Sequence, residues 1–332
     1  MHKGNKLMKL KILILNLSLG TRKTVNKNSL VNHIVKLLSN IKPDIVLAQE
    51  AARALPLNQH IRSQLLDLSK VTSRYPKDYL GIIADRLRSD YELIFSPSIL
   101  QHPDKRKRTG VNPDEVWGQG NCIIISQKLI TETLDFWEGN NLVYPIVEEL
   151  YLPRQKDNYI YLGSRSSEPR IVQLLRLKLN KKQFVFVNIH LTTLRGERSG
   201  YSKIDQQAQY LRKEQISEII HTYKVVKEHS NKLTKKKSDD ITFFLGGDFN
   251  ELRKKLNDHS GLLTQFKMLI DGSTRPGGRY SVDNAFIDIA HESMVAGIKI
   301  FETDDQSSYN DLLLTMIDNG MDHWPILVEL DI

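Results

Sequence analysis

Several polar side chains in this sequence stand at or just after the end of an apolar run. They are Asn16, Glu50, His190, Asp248 and Asn250. A rigid sheet that brings its strand ends to one rim could hold such side chains in position for chemistry. The Glu50 carboxylate is a hard oxygen ligand of the kind that binds Mg²⁺ or Mn²⁺. The pattern therefore indicates a polar site at the edge of a sheet, with a carboxylate that suits a divalent cation.

Each of these positions, taken singly, also has an ordinary structural explanation. Asp248 and Asn250 are of types common in turns, and a glutamate at a strand end is often only solvated. A histidine such as His190 often has a purely structural hydrogen-bond partner. Asp322 and His323, shortly before the last apolar run, would ordinarily form a polar turn. Only the joint pattern distinguishes a site from a set of unrelated turns.

The apolar pattern predicts more strands than helices. Helical spacing predicts helices over residues 29–41 and 206–223, and residues 55–90 are helix-like but poorly periodic. Apolar or alternating runs predict strands near residues 12–15, 45–48, 91–95, 121–126, 170–180, 184–189, 241–245, 298–301 and 326–330, and residues 281–289 form a further late element whose type the pattern leaves open. The excess of strands, several of them apparently antiparallel, favours a mixed α/β sandwich over a doubly wound parallel sheet.

The first apolar run is ambiguous by itself. Lysines precede residues 12–15, as in the basic region of a signal peptide, but the run is short and Asn16 interrupts it. We interpret it as a buried first strand. No other stretch approaches the roughly 18 apolar residues that a membrane span requires.

Composition is that of a globular protein with a basic charge balance. The chain has 332 residues, of which 40% are hydrophobic and 26% charged. We expect a single domain over residues 1–332, monomeric, with surface-loop insertions near residues 101–120 and 230–240. The net charge of +8 favours a polyanionic partner. The single cysteine, Cys122, lies in an apolar run and predicts a buried thiol in a reducing compartment, the cytoplasm.

Taken together and in this order, the polar segments resemble the endonuclease/exonuclease/phosphatase superfamily, which has the DNase-I-like fold. The resemblance covers nearly the whole chain. The matching segments are Leu15-Asn16, Leu47-Ala48-Gln49-Glu50, the segment 120–126, Asn188-Ile189-His190-Leu191, Gly247-Asp248-Phe249-Asn250, Val282-Asp283 and Asp322-His323. The resemblance implies a four-layer α/β sandwich, in which two mixed, largely antiparallel sheets are flanked by helices and carry the site at one rim.

The resemblance also implies a divalent-metal site that uses Mg²⁺ or Mn²⁺. Glu50 corresponds to the main metal ligand, Asn16 lies beside it, and Asp322 corresponds to a further contact. Where abasic-site nucleases carry an acid two residues after the first Asn, this chain has Ser18. We therefore expect one metal ion.

The remaining polar residues correspond to groups that act on the phosphate and the attacking water. Asp248, oriented by Asn250, corresponds to the group that activates or positions water. His323, paired with Asp283, and His190 correspond to the two histidines that grip the scissile phosphate. The sequence leaves open whether Asp248 or His323 is the base.

Substrate contacts are predicted in basic loops around the rim. Arg195 and Arg198 follow His190, and Arg275 and Arg279 precede Asp283. Such clusters contact nucleic-acid phosphates, although loop charge is also often only solvated. We add Asn121, at the start of a matching strand, as a further substrate contact.

These features predict a nuclease that hydrolyses phosphodiester bonds in DNA or RNA. An alternative is a phosphatase or phosphodiesterase that acts on a small head group, such as a phosphoinositide, sphingomyelin or a nucleotide. A non-catalytic binding module is disfavoured, because the site positions that match retain residue types competent for catalysis.

Overall fold

The computed structural model describes most of the chain, and every structural statement below concerns these residues. They are residues 8–19, 26–56, 78–101, 115–134, 146–152, 170–180, 182–192, 202–234, 241–256, 258–276, 282–302 and 309–332. Within these ranges, no helix combines the length and the apolar character needed to cross a membrane.

Two six-stranded sheets form the centre of the molecule. Their strands are β1 (Lys9–Asn16), β2 (Ile45–Pro56), β3 (Tyr91–Gln101), β4 (Glu115–Ser126), β5 (Ile146–Tyr151), β6 (Ile171–Leu179), β7 (Lys182–His190), β8 (Ile241–Asp248), β9 (Phe266–Met268), β10 (Asp283–Asp288), β11 (Val295–Ile300) and β12 (Ile326–Asp331). The strand order is β11-β12-β1-β2-β4-β3 in the first sheet and β5-β6-β7-β8-β10-β9 in the second. Both sheets are mixed and largely antiparallel.

Helices flank the two sheets. They are α1 (Lys27–Ile41), α2 (Tyr79–Leu87), α3 (Gln127–Leu134), α4 (Ser202–Thr234), α5 (Arg253–Leu256), α6 (Ser260–Leu263) and α7 (Asn310–Asp318), with a 3-10 helix at Ile289–Met294. Helices α1, α2 and α7 pack on the first sheet, and α4 packs on the second. The predicted four-layer sandwich is confirmed.

The first strand illustrates why the inner strands have continuous apolar runs. Ile12 and Ile14 of β1 pack toward the second sheet, whereas Leu13 and Leu15 pack toward α1. A strand covered on both faces needs apolar residues at every position. The interpretation of this run as a buried strand is thus confirmed, and Cys122 in β4 is buried as predicted.

Strand pairing places the polar residues at neighbouring positions. Strands β1 and β2 are parallel, with Asn16 opposite Gln49. Strands β7 and β8 are also parallel, with His190 opposite Asp248, and Asp283 of the antiparallel β10 is opposite Asp248 as well. Since parallel strands end at the same edge, residues far apart in sequence converge there.

Two segments that were predicted as helix-like or as loop are partly strand. Strand β2 runs to Pro56, so the helix-like segment 55–90 begins as strand, and its described helix is α2 alone. Strand β4 begins at Glu115, so the end of the predicted loop 101–120 is strand. The reason is a long β2–β4 ladder, whose backbone hydrogen bonds override a weak side-chain pattern.

Helix α4 extends beyond the predicted residues 206–223 at both ends. It continues to Thr234, into the lysine-rich stretch that was predicted to be a surface-loop insertion near residues 230–240. Lysine favours helix, and neither proline nor glycine interrupts these residues.

Candidate active site

Asp248, Asp283 and His323 meet at the edge of the second sheet. Asp283 Oδ2 lies 2.7 Å from His323 Nδ1, and Asp248 Oδ2 lies 3.8 Å from His323 Nε2. All three side chains are buried. Because the carboxylate of Asp283 accepts from Nδ1, it turns the imidazole so that Nε2 lies near Asp248.

The end of β8 fixes the position of Asp248. Gly247 has φ of +143°, and a Cβ there would lie 2.0 Å from the carbonyl oxygen of Ile189, so glycine is required. The backbone N–H of Asn250 donates to Asp248 Oδ1 at 2.8 Å. The side-chain Nδ2 of Asn250 donates to the carbonyl of Leu191 at 3.0 Å. Asn250 therefore ties the exits of β7 and β8 together and orients Asp248.

His190 lies close to the same carboxylate oxygen as His323. Its Nε2 atom is 3.9 Å from Asp248 Oδ2 and 3.1 Å from Nη1 of Arg170. Burial, reinforced by the charge of Arg170, keeps the pKa of His190 well below its ordinary value. His190 is therefore a neutral ring that accepts a hydrogen bond from Arg170.

The charges in this cluster are set by burial and by the neighbouring carboxylates. Burial, and then the charge of Asp283, raises the pKa of Asp248 to about 7. For His323, burial acts to lower the pKa, but Asp283 and Asp248 together outweigh it and raise the pKa to about 9. A carboxyl group that titrates near neutral pH suits proton exchange with water.

Arg275, a predicted substrate contact, lies against His323. Its Nη2 atom is 2.8 Å from His323 Nε2. Because a guanidinium group only donates, this contact describes a neutral imidazole whose proton is on Nδ1. The two carboxylates favour a second proton on Nε2, and that proton is incompatible with the Arg275 contact. Arg275 and the second proton therefore compete for one nitrogen atom.

Glu50, the predicted main metal ligand, lies where the β2–β4 ladder is irregular and has φ of +49°. Burial raises the pKa of Glu50, and the nearby Asp322 raises it further, whereas the amide of Asn16 lowers it. Two carboxylates that repel each other in this way fit a divalent cation, whose charge would offset the repulsion. The described residues thus fit the metal ion implied by the resemblance.

Ser18 links the other two predicted metal-site residues. Its backbone N–H donates to Asn16 Oδ1 at 3.0 Å, and its hydroxyl lies 3.3 Å from that atom and 3.4 Å from Asp322 Oδ1. Asn16 and Asp322 therefore lie beside each other and beside Glu50. Direct contact between Asn16 and a metal ion remains a prediction, because its oxygen already accepts from Ser18.

A second group of potential ligands has a geometry that could hold a metal ion. Ligand atoms of Asp248, Asp283 and His323 lie within 4.8 Å of one another. However, Asp283 already accepts from His323, and the guanidinium of Arg275 adds positive charge beside them. The pair of Glu50 and Asp322 is therefore the better candidate for the cation.

Asn121 lies buried between the two sheets. Only 2% of its surface is exposed, and its Nδ2 donates to the carbonyls of Ile171 at 2.9 Å and Asn188 at 3.3 Å. Asn188 in turn hydrogen-bonds to the side chains of Gln49 and Gln173. Asn121 belongs to a buried network that links the sheets, so we leave it out of the proposed substrate contacts.

The structure adds Arg170 to the site, a residue that sequence reasoning used only as the start of a strand. A charged residue directly before an alternating apolar strand was the available signal. Three of the predicted basic contacts, Arg195, Arg198 and Arg279, lie outside the described residues.

Comparisons with known proteins support the fold. No family model matches the sequence, and a search of curated proteins found no match. Solved structures do match, over almost the whole of both chains. An endonuclease/exonuclease/phosphatase family protein from Leptotrichia buccalis is 13% identical, with a TM-score of 0.52, and covers 97% of this chain and 100% of its own. A protein described as endonuclease/exonuclease/phosphatase from Bacteroides vulgatus is 14% identical, with a TM-score of 0.53. The match covers 98% of this chain and 99% of that protein.

A third similar structure is TDP2 from D. rerio in a complex with a single-strand DNA product. It is 12% identical, has a TM-score of 0.51, and covers 98% of this chain and 99% of its own. Identities this low establish shared architecture only. The chain therefore has the DNase-I-like fold of endonuclease/exonuclease/phosphatase proteins, with a cluster of acids and histidines at one edge of its sheets.

Proposed function

We propose that this protein is a divalent-metal-dependent phosphoesterase, and specifically a nuclease that hydrolyses phosphodiester bonds in DNA or RNA. The observation that carries the proposal is the placement of Asp248 Oδ2 within 3.9 Å of His190 Nε2 and 3.8 Å of His323 Nε2. The paired carboxylates of Glu50 and Asp322 provide a cation site close by. A cation site beside a buried acid and two histidines suits the hydrolysis of a phosphate ester.

The residues of the site divide the chemistry between them. Asp248, with its raised pKa, accepts a proton from the attacking water. His323, held by Asp283, and His190 contact the phosphate group, as the resemblance implies. A Mg²⁺ or Mn²⁺ ion, held by Glu50 and Asp322 with Asn16 beside them, would offset charge on the pentacovalent transition state.

Two further observations favour nucleic acid as the substrate. The net charge of +8 attracts a polyanion over a distance. The structure of D. rerio TDP2, similar in fold, contains a single-strand DNA product. We extend that substrate class to this chain as part of the proposal.

The test is hydrolysis by purified protein of plasmid DNA, RNA, a panel of phosphomonoesters and sphingomyelin, with Mg²⁺ or Mn²⁺ and with excess chelator. We expect cleavage of DNA or RNA that is lost with chelator. Glu50→Gln should weaken metal binding, measured by calorimetry, and leave the circular dichroism spectrum unchanged. Asp90→Asn, an exposed carboxylate on the turn before β3, is the matched control and should behave as the parent.

Two results would contradict the proposal. Full activity in excess chelator would exclude the metal dependence. Hydrolysis of phosphomonoesters or sphingomyelin alone would exclude nucleic acid and favour the small-head-group alternative.

A further inference from the structure

Arg170 is a buried charge in the site that the roles assigned above do not use. Only 4% of its surface is exposed, and it directly precedes β6. Its carbonyl accepts from the backbone N–H of Leu152 at 3.0 Å, so its backbone is held by hydrogen bonding to a neighbouring segment. Burying a guanidinium group costs free energy unless its hydrogen bonds are made. The burial of Arg170 within the site therefore suggests a role for this side chain.

The charge of Arg170 acts on both halves of the site. Its Nη1 atom lies 3.1 Å from His190 Nε2, which is itself 3.9 Å from Asp248 Oδ2. Arg170 therefore lies directly against the proposed proton-transfer half of the site, and its charge also lowers the pKa of Glu50.

Arg275 makes the same kind of contact with the other histidine, at 2.8 Å from His323 Nε2. Each guanidinium thus points an N–H donor at an imidazole nitrogen, and both nitrogens lie near Asp248 Oδ2. An anionic phosphate oxygen is a stronger acceptor than a neutral ring nitrogen. A phosphate group that enters the site would therefore take over these N–H donors.

We propose that Arg170 is a substrate-binding residue that donates to an unesterified oxygen of the substrate phosphate. The inference rests on the proposed function and deepens it, because it assigns the phosphate contact to a strand-anchored arginine. The planar fork of donors on a guanidinium matches phosphate oxygens, and a lysine ammonium does not reproduce it.

The experiment measures phosphate binding apart from catalysis. Inorganic phosphate is titrated into chelator-treated protein, and binding is followed by calorimetry and by the ¹⁵N resonance of His190 Nε2, assigned with His190→Asn. We expect phosphate to shift this resonance in the parent protein. Arg170→Ala and Arg170→Lys should each weaken phosphate binding roughly tenfold or more, the effect of losing a hydrogen bond to a charged group.

Controls separate a binding role from a structural one. Arg88→Ala, at an exposed arginine after α2, should bind phosphate as the parent does. Turnover of the Arg170→Ala variant should recover in part when guanidinium ion is added at a non-denaturing concentration, which a purely structural role would not produce. If circular dichroism shows that Arg170→Ala does not fold, phosphate binding is tested with Arg170→Lys, which keeps the positive charge and the aliphatic part of the side chain.

Failure of this inference is distinguishable from failure of the proposed function. Parent-like phosphate binding and turnover in a folded Arg170 variant would overturn the role of Arg170 and leave the nuclease proposal standing. Arginine-dependent phosphate binding by a protein that cleaves no nucleic acid would overturn the nuclease proposal and support the role of Arg170.

Discussion

At the scale of single residues, the site buries carboxyl groups whose ionisation destabilises the folded state. Asp248 is 1% exposed, lies beside Asp283, and has its pKa raised from 3.8 to about 7. A raised pKa for an acid means that the native state resists ionisation of this group. A loss of folding stability of this kind is expected at a residue whose burial serves activity.

The substitution Asp248→Asn should lower turnover and raise stability. We expect turnover to fall by at least roughly a hundredfold, the low end for a positioned acid or base. Between about pH 4 and pH 7, the native parent binds more protons than the unfolded chain, so its stability falls as pH rises through that window. The variant has no carboxyl group at this position, so it does not lose stability in this way. Its unfolding free energy should exceed that of the parent by at least about 1 kcal/mol at pH 8 and should show no such excess below pH 4.

Denaturant unfolding of parent and variant from pH 4 to pH 8 measures this difference. A variant whose unfolding free energy differs from that of the parent by a constant amount across the range would show that Asp248 ionises normally. A variant with parent-like turnover would remove Asp248 from the mechanism.

At the scale of elements, the exits of β7 and β8 act as one unit. Besides the Asn250 contacts, a buried ion pair joins Arg212 Nε of α4 to Glu251 Oε2 at 3.0 Å, and Arg212 Nη1 donates to the carbonyl of Thr192 at 3.3 Å. Helix α4 thus holds the residues that directly follow His190 and Asp248. This bracing fixes the segments from which the site residues project.

The substitution Gly247→Ala should disrupt this unit. The new Cβ would lie 2.0 Å from the Ile189 carbonyl oxygen, at a backbone φ that side chains rarely adopt. We expect a loss of unfolding free energy on the order of 1–3 kcal/mol or more, and a loss of turnover because β8 must move away from β7. Urea unfolding and steady-state kinetics measure the two effects.

Gly297→Ala on β11 is the matched control, because the nearest atom to its new Cβ, Glu329 Oε2, is 3.6 Å away. Parent-like behaviour of Gly247→Ala would show that the close approach of the two strands is not needed for the site.

At the scale of the whole molecule, the basic charge balance should act on substrate binding through counterion release. Neutralising an arginine that contacts a phosphate reduces the slope of log K against log salt concentration by about one unit. Arg275→Gln should show this reduction for single-strand DNA, measured by fluorescence anisotropy over a range of salt concentrations in excess chelator. Arg88→Gln, with an exposed side chain after α2, should keep the parent slope. An unchanged slope for Arg275→Gln would point to a small-molecule substrate.

The sequence by itself determined the architecture and the set of acids and histidines. Runs such as residues 12–15 and 241–245 are continuous because their strands are covered on both faces, which makes them visible without a structure. The polar residues that end these runs also appear in the sequence, and the order of segments pointed to the four-layer fold.

Only the tertiary structure decided which side chains meet and which do not. Arg170 reaches His190 because β6 pairs with β7, and Asn121 is buried because the two sheets close over it. The extension of β4 back to Glu115 depends on its ladder with β2. These contacts join residues far apart in the chain, and local patterns of hydrophobicity carry no information about which distant partner a polar side chain will find.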